Sequence, residues 1–299
     1  MSANRLKKAV IRRVEVVVNP LSGGAGPNAT DEAERILAEA GISGRVRAPG
    51  EGGLGACLRQ ALDAGPDLLA IVAGDGTARA GAEMAGPDGP LVAPLPGGTM
   101  NMLPRALYGD RGWTTALADI LAGGLEKPVA GGELEGRRFH VAAILGSPAL
   151  WAQAREAARE GDLHRAWLRA RRAIRRAFSG RVRFSLDGGP RRKTEALVLM
   201  TPLVSMALNE DEPGLEAAAL DPSSALEVLR LGAHFVQGDW RADPAVDAGR
   251  CRAGRAWAAG RIPAVLDGEP ARLDPVADFR FLPVAFRALA PCPPEEHGA

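Results

Sequence analysis

The chain has 299 residues, 46% of them hydrophobic and 24% charged, with 37 Lys and Arg against 36 Asp and Glu. That length can bury a sizeable core, most naturally in two domains, and the charge balance excludes a polyanion-binding protein on net charge alone. The basic start, MSANRLKKAVIRR, is not followed by the apolar core of a secretory signal, and no run approaches the roughly 20 apolar residues that span a bilayer. Cys57, Cys251 and Cys292 are spaced for neither a disulfide framework nor a metal site. The expectation is a cytoplasmic protein in a reducing compartment, resting at most on the inner face of a membrane, with no nucleic-acid partner.

Taken in order, residues 14–18 (VEVVV) predict a first buried strand that runs into a glycine-bearing loop, Asn19-Pro20-Leu21-Ser22-Gly23-Gly24. Asp31 with Glu34 resembles a capping box for a helix to about Ala40, ended by Gly41. Residues 44–48 suggest a short strand and 54–64 a helix. Two apolar runs follow, 68–72 and 91–95, each ending in glycine plus hydroxyl: Gly74-Asp75-Gly76-Thr77, then Gly97-Gly98-Thr99. A helix is expected after each loop, with Thr77 and Thr99 as its cap. Residues 113–121 close this part as a helix broken by Ala122-Gly123-Gly124. Alternating strands and helices of these lengths predict a doubly wound parallel α/β sheet, whose ligands bind beyond the carboxyl ends of its strands.

The pattern changes after Lys127. Residues 128–145 suggest two strands joined near Glu135-Gly136, and strands are also expected at 182–186, 196–201, 225–231 and 279–281. The reading is an α/β domain over 10–128, a β-rich domain over 129–291 and a disordered tail over 292–299. Within the β-rich domain, 151–178 has the spacing of a helix with Leu163, Trp167, Ala170, Ile174 and Phe178 on one face and Arg165, Arg169, Arg172 and Arg176 on another. It is either a core-packed helix with a solvated arginine face or a basic amphipathic helix that meets anionic lipid headgroups.

Several chemistries lack their residues. No Gly-Lys dipeptide occurs, so there is no P-loop, and no GxSxG serine-hydrolase signature. Gly24-Ala25-Gly26-Pro27-Asn28-Ala29 formally matches a dinucleotide fingerprint, but Pro27 fits it poorly. His140, His164, His234 and His297 show no metal-ligand spacing. What remains is three glycine- and hydroxyl-bearing loops that can cradle phosphate, with one carboxylate among them. Asp75 makes sense there as the partner of Mg²⁺ or of a substrate hydroxyl; otherwise it bonds its own backbone in a strand-to-helix turn.

Asn19-Pro20-x-Ser22-Gly23, Gly74-Asp75-Gly76-Thr77 and Pro96-Gly97-Gly98-Thr99-Met100-Asn101, in this order and spacing, resemble the nucleotide-binding motifs of the diacylglycerol kinase catalytic-domain family. That family includes sphingosine and ceramide kinases and soluble bacterial lipid kinases. Leu266-Asp267-Gly268-Glu269-Pro270 resembles its late DGE motif, and residues 281–287 its closing strand. The resemblance implies an N-terminal nucleotide domain and a C-terminal β-sandwich with the active site between them. It implies transfer of the γ-phosphate of Mg²⁺-ATP to a lipid hydroxyl, with diacylglycerol or ceramide as the membrane lipid substrate. Asn19, Pro20, Ser22, Gly23, Gly74, Asp75, Gly76, Thr77, Gly98, Thr99 and Asn101 would hold the nucleotide. Glu269 would take the hydroxyl proton, and Asp267 would orient it or face a metal. The alternatives are a kinase of a soluble acceptor, NAD or a sugar phosphate, and a non-catalytic nucleotide- or lipid-binding relative. The chain departs from relatives at Ala73, at Arg79-Ala80 in place of an Asn-Glu pair, and at Met102. The acidic motif of the second domain is blurred to Asp221-Pro222-Ser223-Ser224-Ala225-Leu226-Glu227, so no structural Mg²⁺ site is assigned. Nothing in the sequence sets an oligomeric state.

Overall fold

The computed structural model describes residues 7–146, 181–208, 213–221 and 240–292. The proposed amphipathic helix 151–178, the strand 225–231, the acidic motif beyond Asp221 and the tail from 293 lie outside them. Two compact units form: one ends at Ala130 and resumes at Val284, and the other is Gly131–Pro283.

The first unit holds β1 (Lys7–Lys8), β2 (Arg13–Val18), α1 (Ala29–Glu39), β3 (Ser43–Arg47), α2 (Gly53–Asp63), β4 (Leu68–Ala73), α3 (Asp75–Ala85), β5 (Leu91–Pro96), α4 (Met102–Tyr108) and α5 (Trp113–Gly123). β6 (Leu125–Leu134) leads out of this unit. β5, β4, β2 and β3 lie side by side, all parallel. Every residue of β4 is buried, as its uninterrupted LLAIVA requires of a strand covered on both faces. α1 buries Ala29, Ala33, Ile36 and Leu37, one stripe at helical spacing. The buried Glu15 of β2 is matched by Arg47 of β3 at 2.5 Å.

Two capping expectations are corrected. α1 starts at Ala29 with Asn28 in the cap position and no side-chain cap, so Asp31 and Glu34 sit inside the helix. Gly74 occupies the cap position of α3 and Asn101 that of α4, which puts Thr77 within α3 and Thr99 in the turn before α4. In the second loop the helix begins before the hydroxyl residue is reached, and in the third it begins only after it.

Chain order sets the ligand side of this sheet. From β2 the chain passes to β3 on one flank, then to β4 on the other. The sheet therefore reverses direction at the β2/β4 boundary, where open α/β sheets bind ligands at their carboxyl edge.

In the second unit β7 (Arg137–Phe139), β8 (Ala142–Gly146), β9 (Val182–Leu186), β10 (Arg192–Thr194), β11 (Ala196–Met200), β12 (Leu215–Leu220), β13 (Val246–Cys251), β14 (Ala253–Trp257), β15 (Ile262–Leu266) and β16 (Glu269–Leu273) precede β17 (Val276–Ala290). One antiparallel sheet runs β13-β12-β11-β8-β15-β16, and another runs β10-β9-β14-β17. Leu145, Leu197, Leu199 and Ile262 of the first face Phe184, Ala256 and Phe279 of the second in one hydrophobic core. That is the expected β-sandwich. β17 continues past Pro283 into the first unit, where Ala288 pairs with Val92 of β5 and the Tyr108 hydroxyl donates to Leu289 O at 3.0 Å.

Three turns of this unit share one form. Glu135-Gly136, Asp187-Gly188 and Asp267-Gly268 each place two successive residues at positive φ, the geometry of two-residue hairpins that favours an acidic or amide residue followed by glycine. The second strand expected within 128–145 is interrupted at His140 and Val141, between β7 and β8.

Candidate functional site

The three glycine loops leave the carboxyl ends of β2, β4 and β5, which are neighbours, and they touch through their backbones. Asn19 N–H donates to Val72 O (2.9 Å), Gly24 N–H to Gly97 O (3.0 Å) and Gly97 N–H to Ala73 O (3.2 Å). Asn19 Oδ1 accepts the Leu21 N–H at 3.2 Å and Ser22 N–H donates to Asn19 O, so the first loop is a self-bonded turn. The Trp113 indole N–H donates to Ala25 O at 3.3 Å and ties its far end to α5. In the third loop Asn101, at φ 50, accepts the Gly98 N–H at 2.7 Å and donates to Gly98 O at 2.9 Å. Asn101 thereby fixes the turn that holds exposed Thr99.

The glycines divide into two groups. A Cβ on Gly97 would lie 2.5 Å from Ala73 N, one on Gly98 2.7 Å from Gly74 Cα, and one on Gly24 2.9 Å from Gly98 O. These three exist so that one loop's backbone can lie against the next. Gly74 is different: its backbone is ordinary, at φ −76°, and a Cβ there would meet nothing within 4 Å. Gly23 is nearly as open, with Thr99 Oγ1 at 3.8 Å as its nearest neighbour. Folding does not require glycine at Gly74, whereas a ligand brought against its backbone would. Of the glycines expected to hold the nucleotide, Gly23 and Gly74 are open, whereas Gly98 packs against the backbone of the second loop.

Asp75 is the first residue of α3, where the helix dipole favours a carboxylate. Its Oδ1 accepts the Leu103 N–H at a long 3.4 Å. Burial raises its pKa from the ordinary value, and the amides of Leu103, Met102 and Asn101 offset that only in part. Asp75 is thus a half-buried, under-compensated acid between the second and third loops. Met102 opens α4, half-buried, and its amide is one of those directed at Asp75. Ala73 ends β4 fully buried and outside the positive-φ region, so the strand needs no glycine there. Arg79, one turn along α3, has a buried Nε with no hydrogen-bond partner.

The residues of the second unit behave otherwise. Asp267 is 3% exposed, and its carboxylate accepts backbone N–H groups from His140 (2.7 Å), Val141 (2.8 Å) and Ala142 (3.0 Å). Asp187 does the same for Arg252 and Ala253, and Glu135 for Asp274. Asp267 therefore staples its hairpin to the start of β8, and the break at His140 and Val141 supplies the amides it binds. Glu269, two residues on, is exposed and opens β16 opposite Leu266.

Asn19, Pro20, Ser22, Gly23, Gly74, Gly98, Thr99 and Asn101 fall on the three converging loops, and Asp75, Gly76 and Thr77 form the first turn of α3. Asp267 and Glu269 sit together on one hairpin. Among the described residues no three His, Cys, Asp or Glu gather as a metal site, and no helix is long and apolar enough to cross a membrane. The backbone at Gly74 is open to the approach of a ligand. A Mg²⁺ carried by phosphates needs only one or two protein carboxylates, which Asp75 can supply.

Residues 13–133 match the family model of the diacylglycerol kinase catalytic domain. No curated protein matches the chain. Among solved structures, a diacylglycerol kinase from Bacillus anthracis str. Sterne is similar at 13% identity and a TM-score of 0.65. A structure assigned to a diacylglycerol kinase of the same organism is similar at 18% identity and a TM-score of 0.72. Both alignments cover 95% of this chain and 98% of the other. At these identities the likeness is one of fold.

Proposed function

We propose that this chain, which resembles the diacylglycerol kinase catalytic-domain family in its loop motifs and its fold, is an ATP-dependent lipid kinase. The observation that carries the reading is Gly74: a glycine that neither backbone conformation nor packing explains, at the reversal point of a parallel sheet, in the family's nucleotide loop. Backbone N–H groups of the three loops and the hydroxyls of Ser22, Thr77 and Thr99 would hold the phosphates. Bound Mg²⁺-ATP would supply the transferable γ-phosphoryl group. Asp75, whose charged form burial disfavours, gains a favourable partner when positive charge arrives. Phosphoryl transfer asks for positioning and charge neutralisation, with a carboxylate to accept the hydroxyl proton. Glu269 is the proposed base: it is exposed, and its neighbour Asp267 spends its carboxylate on holding the turn. The acceptor is a primary alcohol of a membrane lipid, diacylglycerol or ceramide, and the protein works as a peripheral visitor to the cytoplasmic membrane face.

The test is transfer from γ-labelled ATP with Mg²⁺ to a panel of lipids in mixed micelles. Label is expected in an organic-extractable product, and Glu269→Ala should remove it without moving the melting curve. Full activity of Glu269→Ala would remove the base assignment. Label in NAD or a sugar phosphate, and in no lipid, would replace the acceptor class.

A further inference from the structure

We infer that Arg79 is the cationic contact of the nucleotide's phosphate chain, a conclusion that rests on the kinase reading and adds a binding residue to the same site. The three loops, over residues 19–28, 74–77 and 97–101, bring together glycines, hydroxyls and one carboxylate, and none of them contains a lysine or an arginine. A triphosphate brought there meets backbone amides and the acidic Asp75. Amides and a helix dipole carry only partial positive charge. Phosphoryl transfer calls for fuller neutralisation, by metal ions and by cationic side chains. The metal travels with the nucleotide. The side chain has to come from just beyond the loops.

Arg79 is the first cation after the second loop. α3 begins at Asp75, and Arg79 returns to the same helix face one turn later, about 6 Å along the axis. That face is the one near the third loop, because the Asp75 carboxylate accepts the Leu103 N–H from the start of α4. Long side chains on a helix lean back toward its N-terminus, which in α3 is the end at the carboxyl edge of the sheet.

The charge is also unmatched within the fold. Arg79 is half-buried, its Nε bonds nothing, and among the described residues no carboxylate pairs with it. The other half-buried arginines described in this unit are both matched, Arg47 by Glu15 at 2.5 Å and Arg287 by Glu126 at 2.9 Å. Even the exposed Arg35 and Arg111 carry an acid at 2.6 and 3.2 Å. A guanidinium taken partly out of water without an anion is unfavourable, and a donor buried without an acceptor adds to that. Phosphate oxygens supply both the charge and the acceptors, in a geometry that the planar guanidinium fork suits. Asp75 and Arg79 then act as a pair of opposite sign on one helix face, the first toward the metal and the second toward the phosphates. Arg79-Ala80 is one of the places where the chain departs from its relatives, so this contact belongs to the chain and not to the shared motif.

The experiment uses the full chain as wild type, Arg79→Met and Arg79→Lys, and reads melting temperature without ligand together with the affinities for Mg²⁺-ATP, tripolyphosphate and AMP by calorimetry. Arg79→Met keeps a long apolar stem and removes the unmatched charge, so without ligand it should melt at or slightly above wild type. Its affinity for Mg²⁺-ATP and for tripolyphosphate should fall about tenfold, the scale of one hydrogen bond between charged groups, with a much smaller loss for AMP. Arg79→Lys should recover part of that loss. A merely structural arginine would instead lower the melting temperature and weaken all three ligands alike, and that result overturns the inference. So does wild-type affinity for Mg²⁺-ATP in both variants, which leaves the kinase reading standing. Wild type that binds neither Mg²⁺-ATP nor tripolyphosphate overturns both.

Discussion

Asp75 and Asp267 both stand beside glycine in short acidic motifs, one at the head of a helix and one in a hairpin, and the protein treats them in opposite ways. Asp267 is buried and saturated, with three backbone amides on its two oxygens. Asp75 is half-buried, the amides of Leu103, Met102 and Asn101 are directed at it, the Leu103 N–H at a long 3.4 Å, and burial still raises its pKa. A carboxylate whose environment is complete without a ligand holds the structure. A carboxylate whose environment is incomplete awaits one. The same contrast runs through the glycines, with Gly97 sealed against Ala73 and Gly74 open.

The largest expected effect sharpens the first half of that contrast. Asp267→Ala leaves buried amides of His140, Val141 and Ala142 without an acceptor, a loss of about 3–5 kcal/mol. Urea denaturation should show it as a lower midpoint at unchanged slope. A midpoint near wild type would mean that Asp267 is no staple.

Next in size is the glycine pair. Gly97→Ala forces a Cβ against backbone 2.5 Å away, where nothing can yield cheaply, and should cost about 1–3 kcal/mol. Gly74→Ala should leave the melting curve where it is and weaken Mg²⁺-ATP binding, read by calorimetry. The comparison breaks if the two variants melt alike.

The smallest effect concerns Asp75 itself. Its folded pKa lies above the unfolded one, so the folded state binds this proton more tightly. The associated stability is present below the unfolded value and is lost as pH rises through the folded value. At neutral pH the charged side chain is therefore a small burden on the fold. Asp75→Asn should melt at or slightly above wild type at pH 7, the difference vanishing in acid. A clear destabilisation at pH 7 would make Asp75 a structural residue like Asp267.

Much of the first unit was legible. The runs LLAIVA and VEVVV could only be buried strands, and the order of strands and helices fixed a parallel sheet with its loops at one edge. Helix starts were less so, because the glycine at position 74 and the asparagine at 101 take the cap positions that hydroxyl residues usually fill. The job of each glycine could not be read, since the backbone against Gly97 comes from another loop. Asp267 was opaque for the same reason: its partners lie 125 to 127 positions away. A DG turn reads as a hairpin, and nothing local says that its carboxylate reaches the break between β7 and β8. That β17 leaves one unit to pair with β5 in the other is likewise a fact about neighbours that strand patterning does not carry.

The most direct test of the whole account is label transfer from γ-labelled ATP into chloroform-soluble product, measured side by side for wild type and Asp75→Asn at matched folded concentration. The account predicts labelled lipid from wild type and none above background from an Asp75→Asn protein that is fully folded. Labelled lipid from both proteins alike, or from neither, would contradict it.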